Sequence, residues 1–292
     1  MAQLPRPLMV MHPDGAFRER VRRVGGKGFR CSFLPDWDAL RAAVCEAPPA
    51  TLLIVDPYDT SSRDGPQLAP ELRALLWEFP SATVVAAMEI YPGRSHDLRT
   101  LGEWGVTDII SLDEEDTHEA ITRRLRSAQG RPLQNLLQRC LPPTISGRAR
   151  TLLMTAAEVV SMGGRGRDLA RTLHLSERTV LRWSERAGLP PPRRLMAWMR
   201  ILLAASLLDD PGRTVLSVAY ACGYSSDSSL RRAMQDFLGT IPTTLRKEGA
   251  FSRAARIFLN ELEEVRQQAR EHAREEGPPD ELREARRQAR RG

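Results

Sequence analysis

The sequence is poor in everything that builds a covalently or metal-held scaffold. Its four cysteines, Cys31, Cys45, Cys140 and Cys222, form no C-x-x-C pair. Neither a zinc site nor a disulfide framework is therefore expected, and the thiols read as reduced and mostly buried. Lysine is nearly missing as well: of 43 cationic side chains only Lys27 and Lys247 are lysine. A GC-rich genome produces that bias as readily as a binding requirement does, so the placement of charge says more than its amount. No run of about 18 apolar residues occurs, which excludes a helical membrane span. The opening MAQLPRPLMVMHPDG lacks the basic start, apolar run and small-residue cleavage site of a secretion signal. The strings G-x-G-x-x-G, G-x-x-x-x-G-K-[ST] and G-x-S-x-G are all missing, which removes the common phosphate cradles and the nucleophile elbow. VGGKG (24–28) lies between a helix and a strand and reads as a helix stop.

What is present divides by charge. Residues 1–126 hold 15 Lys/Arg against 19 Asp/Glu, residues 127–250 hold 18 against 9, and residues 251–292 hold 10 against 9. A weakly acidic first half joined to a basic second one suggests a regulatory domain attached to a polyanion-binding domain. The length, 292 residues, suits about two domains.

The first half alternates strands and helices. Short apolar runs at 7–14, 29–36, 51–58, 82–90 and 107–112 predict five strands, and helical spacing at 16–25, 36–48, 71–80, 97–106 and 117–128 predicts five helices. Asp36 or Asp38 is available to cap the second helix. TLLIVDPY (51–58) is the most apolar and β-branched run so far, as a central parallel strand covered on both faces requires. The pattern predicts an α/β doubly wound parallel sheet, with functional groups at the carboxyl ends of its strands. His12, His96 and His118 are far apart in sequence and are expected at the surface or in turns.

Asp56 ends the third strand, and here residues 5–128 resemble the receiver domains of bacterial response regulators. The resemblance implies a flavodoxin-like sheet and a phosphate-accepting Asp56. It also implies an acidic pair after the first strand to hold Mg²⁺, a hydroxyl after the fourth and a lysine after the fifth. The chain instead carries His12-Pro13-Asp14, Met88-Glu89 and Leu112-Asp113 at those places. Without cations an incoming phosphoryl group meets carboxylates. The expectation is therefore a pseudo-receiver used for dimerisation or signal input, with Asp56 capping a turn beside Pro57. The alternative is a phosphorylation-activated two-component response regulator using Asp56.

The second half is helical after a Pro/Gly-punctuated stretch, GRPLQNLLQRCLPPTISG (130–147). RARTLLMTAAEVVS (148–161) predicts a supporting helix. GRDLARTLHLSERTVLRWSERAG (166–188) then has a short helix, a tight turn at His174-Leu175 and a second helix capped by Ser176. Val180 and Trp183 fall inward, and Arg178, Thr179, Arg182 and Arg186 decorate the other face. A helix in the major groove needs such an apolar back and forked donors in front. The pattern returns at VLSVAYACGYSSDSSLRRAMQDFLG (215–239). Gly223 stops one helix, another begins near Ser226, and Val218, Ala219 and Cys222 face the core. Leu230, Ala233, Met234 and Phe237 point inward, with Asp227, Ser228, Arg231 and Arg232 outward. Between the units, RRLMAWMRILLAASLLDD (193–210) predicts a long apolar helix of about 25 Å, suited to holding two recognition helices one duplex turn apart.

Residues 148–248 resemble the DNA-binding domain of the AraC/XylS family of bacterial transcription regulators. The resemblance rests on LARTLHLSERTVLRW, on GLPPPRRLMAWMRILLAASLL with Arg200 to Ala204 as its core, and above all on VAYACGYSSDSSLRRAMQDFLGTIPTTLR. It implies base-reading roles for Arg178, Leu181 and Arg182 in the first unit and for Asp227, Ser228, Arg231 and Arg232 in the second. Leu181 departs from the pattern: it can meet a thymine methyl and cannot form bidentate bonds. Leu230 and Met234 stand where the family has aromatic core residues. Asp227 is suited to accepting from cytosine N4 rather than to sitting by phosphates.

The tail, FSRAARIFLNELEEVRQQAREHAREEGPPDELREARRQARRG, has Phe258, Leu262, Val265 and Ala269 at spacings of four, three and four. This predicts a surface helix packed on its own domain, with a short coiled coil as the alternative and a disordered or phosphate-touching end beyond Gly277. The expected domains are a receiver-like 1–128, a linker 129–147, a tandem helix-turn-helix domain 148–250 and a charged tail 251–292. The expected function is a cytoplasmic, nucleoid-associated, sequence-specific DNA-binding transcription regulator without catalytic residues, metal or cofactor. Double-stranded DNA is the expected partner. A homodimer through the receiver-like domain or the C-terminal helix and a contact with RNA polymerase stay open, and no membrane partner is expected.

Overall fold

The computed structural model describes residues 5–25, 28–59, 67–90, 93–114, 117–128 and 132–275. Five parallel strands, β1 (Arg6–Met11), β2 (Phe29–Phe33), β3 (Leu52–Val55), β6 (Thr83–Met88) and β7 (Asp108–Ser111), form one sheet in the order β2-β1-β3-β6-β7. Between β3 and β6 a small antiparallel ribbon pairs β4 (Tyr58–Asp59) with β5 (Gln67–Leu68). The helices that return the chain are α1 (Gly15–Gly25), α2 (Trp37–Glu46), α3 (Pro70–Glu78), α4 (Ser95–Trp104) and α5 (His118–Ser127).

All four residues of β3 are buried because both faces of the sheet are covered. Leu52 and Ile54 pack with Phe17, Val21, Ile121 and Leu125 of α1 and α5. Leu53 and Val55 pack on the other face with Leu40, Val44, Leu72 and Leu101 of α2, α3 and α4. The side-chain period of two thus separates two layers of core. The strand expected over 51–58 ends at Val55. Pro57 has no N–H for the ladder, its carbonyl accepts from the Ala69 amide (2.8 Å), and the chain turns into the ribbon. Of the two capping candidates it is Asp36 that caps α2, its carboxylate accepting from Ala39 N at 2.8 Å.

The rest is helical: α6 (Pro132–Cys140), α7 (Gly147–Ser161), α8 (Gly166–Thr172), α9 (Glu177–Arg186), α10 (Pro192–Leu208), α11 (Val215–Ala221), α12 (Asp227–Leu238), α13 (Pro242–Lys247) and α14 (Ala250–Glu275). The stretch read as a linker holds helix α6, whose Leu133 and Leu137, with Leu141 just beyond it, are buried in the core of the helical half. Its Pro and Gly residues flank the helix instead of interrupting it. Helix α10 is the axis of this half. It carries twelve buried side chains, among them Trp198, whose ring meets Phe237 of α12 edge-on (4.9 Å) and Phe258 of α14 (5.3 Å). The tail helix α14 packs on its own domain through Ala250, Ala254, Phe258 and Leu262, and a bidentate Arg194–Glu261 pair (2.6 Å each) fixes it to α10. The end expected to be disordered lies outside the described residues.

Candidate nucleic-acid interface

The first unit is α8, a tight turn and α9. Leu175 N bonds back to Ala170 O (3.0 Å), and His174 takes a left-handed conformation, φ 54°, to close the turn. Ser176 then caps α9, its hydroxyl accepting from Thr179 N at 3.1 Å. Val180 and Ser184 are buried, and the half-buried Trp183 lies beneath the guanidinium of Arg148, 5.1 Å from its ring centre. Arg178, Arg182 and Arg186 are exposed, spaced by four along one face, and Leu181 is 39% exposed beside them. Thr179 departs from this face: it is half-buried, and its hydroxyl is engaged with that of Ser176 (2.8 Å). Its place is in the cap.

The second unit repeats the plan. Gly223 (φ 76°) ends α11, and a reciprocal capping box between Ser226 and Ser229 starts α12, which the left-handed Gly239 ends. Leu230, Met234 and Leu238 are buried. Ser228 and Arg232 are exposed; Asp227 and Arg231 are half-buried and joined through Nε and Oδ2 at 3.3 Å. The aromatic losses at Leu230 and Met234 leave the core closed, since both side chains are fully buried. Arginines therefore face outward on both second helices, and α10 supports both units through packed side chains.

The carboxyl end of the sheet is built differently from what sequence suggested. His12 is buried, 7% exposed, rather than superficial. The cause is its place on the switch point between β1 and β3, against the Phe17 ring (4.6 Å). Its Nδ1 accepts from Asp14 N (3.1 Å), so Nε2 carries the proton donated to Ala87 O (3.2 Å). Burial pushes this imidazole below its ordinary pKa, against the pull of nearby Asp56. Asp56 is half-buried, its Oδ1 accepts from Tyr58 N (3.0 Å), and burial raises its carboxyl. Asp113 accepts from Ile90 N (3.2 Å) across the neighbouring loops. Beside them Tyr58 donates to the buried Asp97 (2.9 Å), and its own hydroxyl is pushed up to about 12 by burial and that carboxylate. Among the described residues no group of three or more His, Cys, Asp or Glu could hold a metal ion.

Residues 169–248, which run from the middle of α8 to just past α13, match the family model described as a helix-turn-helix domain. This segment is a helix-turn-helix domain. No curated protein matches the chain. Among solved structures, full-length FixJ from B. japonicum is 14% identical, and the overlap covers 80% of this chain and 97% of that one at a TM-score of 0.38. The response regulator StyR is 16% identical over 65% of this chain and 96% of that one, with a TM-score of 0.30. The xylose-binding transcription activator XylR is 11% identical over 85% and 71%, with a TM-score of 0.35. Overlaps this loose bear on no functional argument. Sequence reasoning missed Arg148, which covers Trp183, and the buried pair Asp210 and Arg213. The first lies a whole helix away from the unit it supports, and the second sits in a turn-like DDPGR string with no apolar period to mark it.

Proposed function

We propose that the protein is a sequence-specific, double-stranded DNA-binding transcription regulator that places α9 and α12 in successive major grooves. The observation that carries this reading is the pair of Ser-capped helices on one apolar axis, with Arg178, Arg182 and Arg186 exposed on α9 and Arg232 exposed on α12, on the faces turned from the core. Arginine forks match guanine edges and phosphates, and Leu181 offers a methyl contact. Arg178, Leu181, Arg182 and Arg186 read or anchor at the first half-site; Asp227, Ser228, Arg231 and Arg232 do so at the second, and Thr179 holds the helix start. The domains follow as a receiver-like 1–128, a connecting segment 129–147, a DNA-binding 148–250 and a charged tail 251–292. Binding to DNA would put its site of action at the nucleoid; among the described residues no helix is long and apolar enough to cross a membrane. The test is a salt titration of binding to a duplex selected by the protein from a random pool. Arg182→Ala and Arg232→Ala should each relax base preference by about 1–3 kcal/mol at their own half-site. Unchanged selectivity in both variants contradicts the assignment of reading faces.

The sheet domain is a pseudo-receiver. A neutral, doubly bonded His12 stands where an acidic pair would hold Mg²⁺, and the Asp113 carboxylate stands where a lysine would meet a phosphoryl group. Incubation with Mg²⁺ and a small phosphodonor should leave Asp56 unlabelled. Stoichiometric labelling that Asp56→Asn abolishes would restore the response-regulator alternative.

A further inference from the structure

The loop between α10 and α11, residues 209–214, lies between the two helix-turn-helix units and also plugs into the sheet domain. The Arg213 and Asp210 side chains are 3% exposed and paired at 3.2 Å. Arg213 Nη1 donates to Cys45 O (2.6 Å), and its guanidinium lies 5.6 Å from the centre of the Phe79 ring. Asp210 accepts from the hydroxyl and the amide of Ser81 (2.5 and 3.2 Å). Gly212 N donates to Glu78 O (2.9 Å), and a Cβ at Gly212 would stand 2.8 Å from Phe79 and 2.9 Å from Glu78. From the other side Arg246 of α13 donates to Leu208 O and Arg213 O (2.8 and 2.6 Å), and Asp209 caps α14 through Ala250 N and Phe251 N. Helix α2 packs along α11, the supporting helix of the second unit. All of the sheet-domain groups in this socket lie at the amino ends of strands, the end opposite Asp56.

We propose that the sheet domain is a docked brace of the second helix-turn-helix unit, and that occupancy of this socket fixes the spacing between α9 and α12 that a two-half-site duplex requires. The inference rests on the DNA-binding reading above. It is a brace and not an inhibitor, because Arg178, Arg182, Arg186, Ser228 and Arg232 stay exposed while the socket is filled. A buried ion pair that is bonded to Cys45 O and to the Ser81 hydroxyl and amide of the neighbouring domain is tolerable only while the two stay together. Releasing the socket leaves the second unit held by its packing on α10 alone, so its placement relative to the first is less narrowly set and the gain from simultaneous engagement falls.

The experiment uses the full chain and two variants from opposite sides of the contact. Gly212→Val drives a side chain into Phe79, and Ser81→Ala only deletes one hydrogen bond and so keeps both domains folded. Small-angle scattering reads docking, and fluorescence anisotropy reads binding to a duplex selected by the wild-type chain and to its two separate halves. Gly212→Val should expand the molecule and weaken binding to the whole duplex at least about tenfold, with either half bound within about twofold of wild type. Ser81→Ala should move both readouts less, in the same direction. Equal binding to the whole duplex by an expanded variant, or tighter binding, overturns the brace. So does a Gly212→Val chain that neither expands nor loses affinity. If Gly212→Val unfolds, unchanged scattering and binding of Ser81→Ala overturns it as well. A wild-type chain that selects no duplex fails the DNA-binding reading itself, before any variant is made.

Discussion

At the scale of single residues the chain keeps its ionisable groups in two kinds of place. The arginines of α9 stand in water, free to meet a polyanion, and His12 is held neutral inside the sheet domain. The second has a consequence for stability. Because burial holds the folded imidazole below its ordinary value of 6.5, the unfolded chain takes up a proton at pH values where the folded one does not. Stability is therefore fully present above that value and is lost as pH falls through it toward the folded pKa. Asp56, raised by burial from 3.8, has the opposite sign: the folded chain holds its proton more tightly, which favours folding as pH falls toward the ordinary carboxylate range. His12→Gln, which keeps a donor for Ala87 O, should flatten the fall of the urea midpoint as pH drops below 6.5 relative to wild type. Parallel profiles for the two proteins contradict this account of His12. The burial of His12 could not be read from sequence, since a histidine following a strand and preceding Pro-Asp has the look of a turn.

At the scale of elements, most of the architecture follows from local chemistry. Ser176 and Ser226 are short polar side chains placed one residue before an amphipathic period, and both cap as that placement requires. Ser226→Ala should destabilise the helical half by about 1 kcal/mol, measured by urea denaturation, with the loss centred on α12 in hydrogen exchange. A loss spread evenly over α7 to α14 contradicts a local capping role. The apolar run of α10 announces burial on all sides, and Trp198 is its largest member. Its indole N–H is buried without a partner, so Trp198→Phe should be tolerated, whereas Trp198→Ala, which empties the contact with Phe237 and Phe258, should cost about 3–5 kcal/mol. Equal losses from the two substitutions would show that the ring volume is not what holds these helices. Helices α6 and α13 and the β4-β5 ribbon escaped the sequence. Helix α6 is short, and its Pro132 and the Pro-Pro that follows it read as loop chemistry, although Pro is well suited to a first helical turn. The β4-β5 ribbon has strands of two residues each, too short for any periodicity.

At the scale of the molecule, the charge division of the sequence becomes a division of labour. A weakly acidic α/β layer carries more carboxylates than cations, and the basic helical half turns arginines outward from a shared core. Both layers were legible, since strand–helix alternation and a repeated helix-turn-helix pattern are long-range regularities of the sequence. The contact between them was not: Asp210, Gly212 and Arg213 sit in a string any turn could carry, and their partners are a hydroxyl, an amide, two carbonyls and a ring some 130 to 170 residues away. The exposed faces of α9 and α12 have an intermediate status. Arg178, Arg182 and Arg186 were placed by helical spacing alone, but the engagement of Thr179 with Ser176 and of Arg231 with Asp227 depends on side-chain rotamers that spacing does not determine. The central claim is that two helices, α9 and α12, occupy neighbouring major grooves of one duplex. Hydroxyl-radical footprinting of the selected duplex with the full chain tests it most directly. The account predicts two protected windows centred about 10 base pairs apart on one face of the DNA, with Arg182→Ala fading one and Arg232→Ala the other. A single window, or two windows that both variants leave intact, contradicts it.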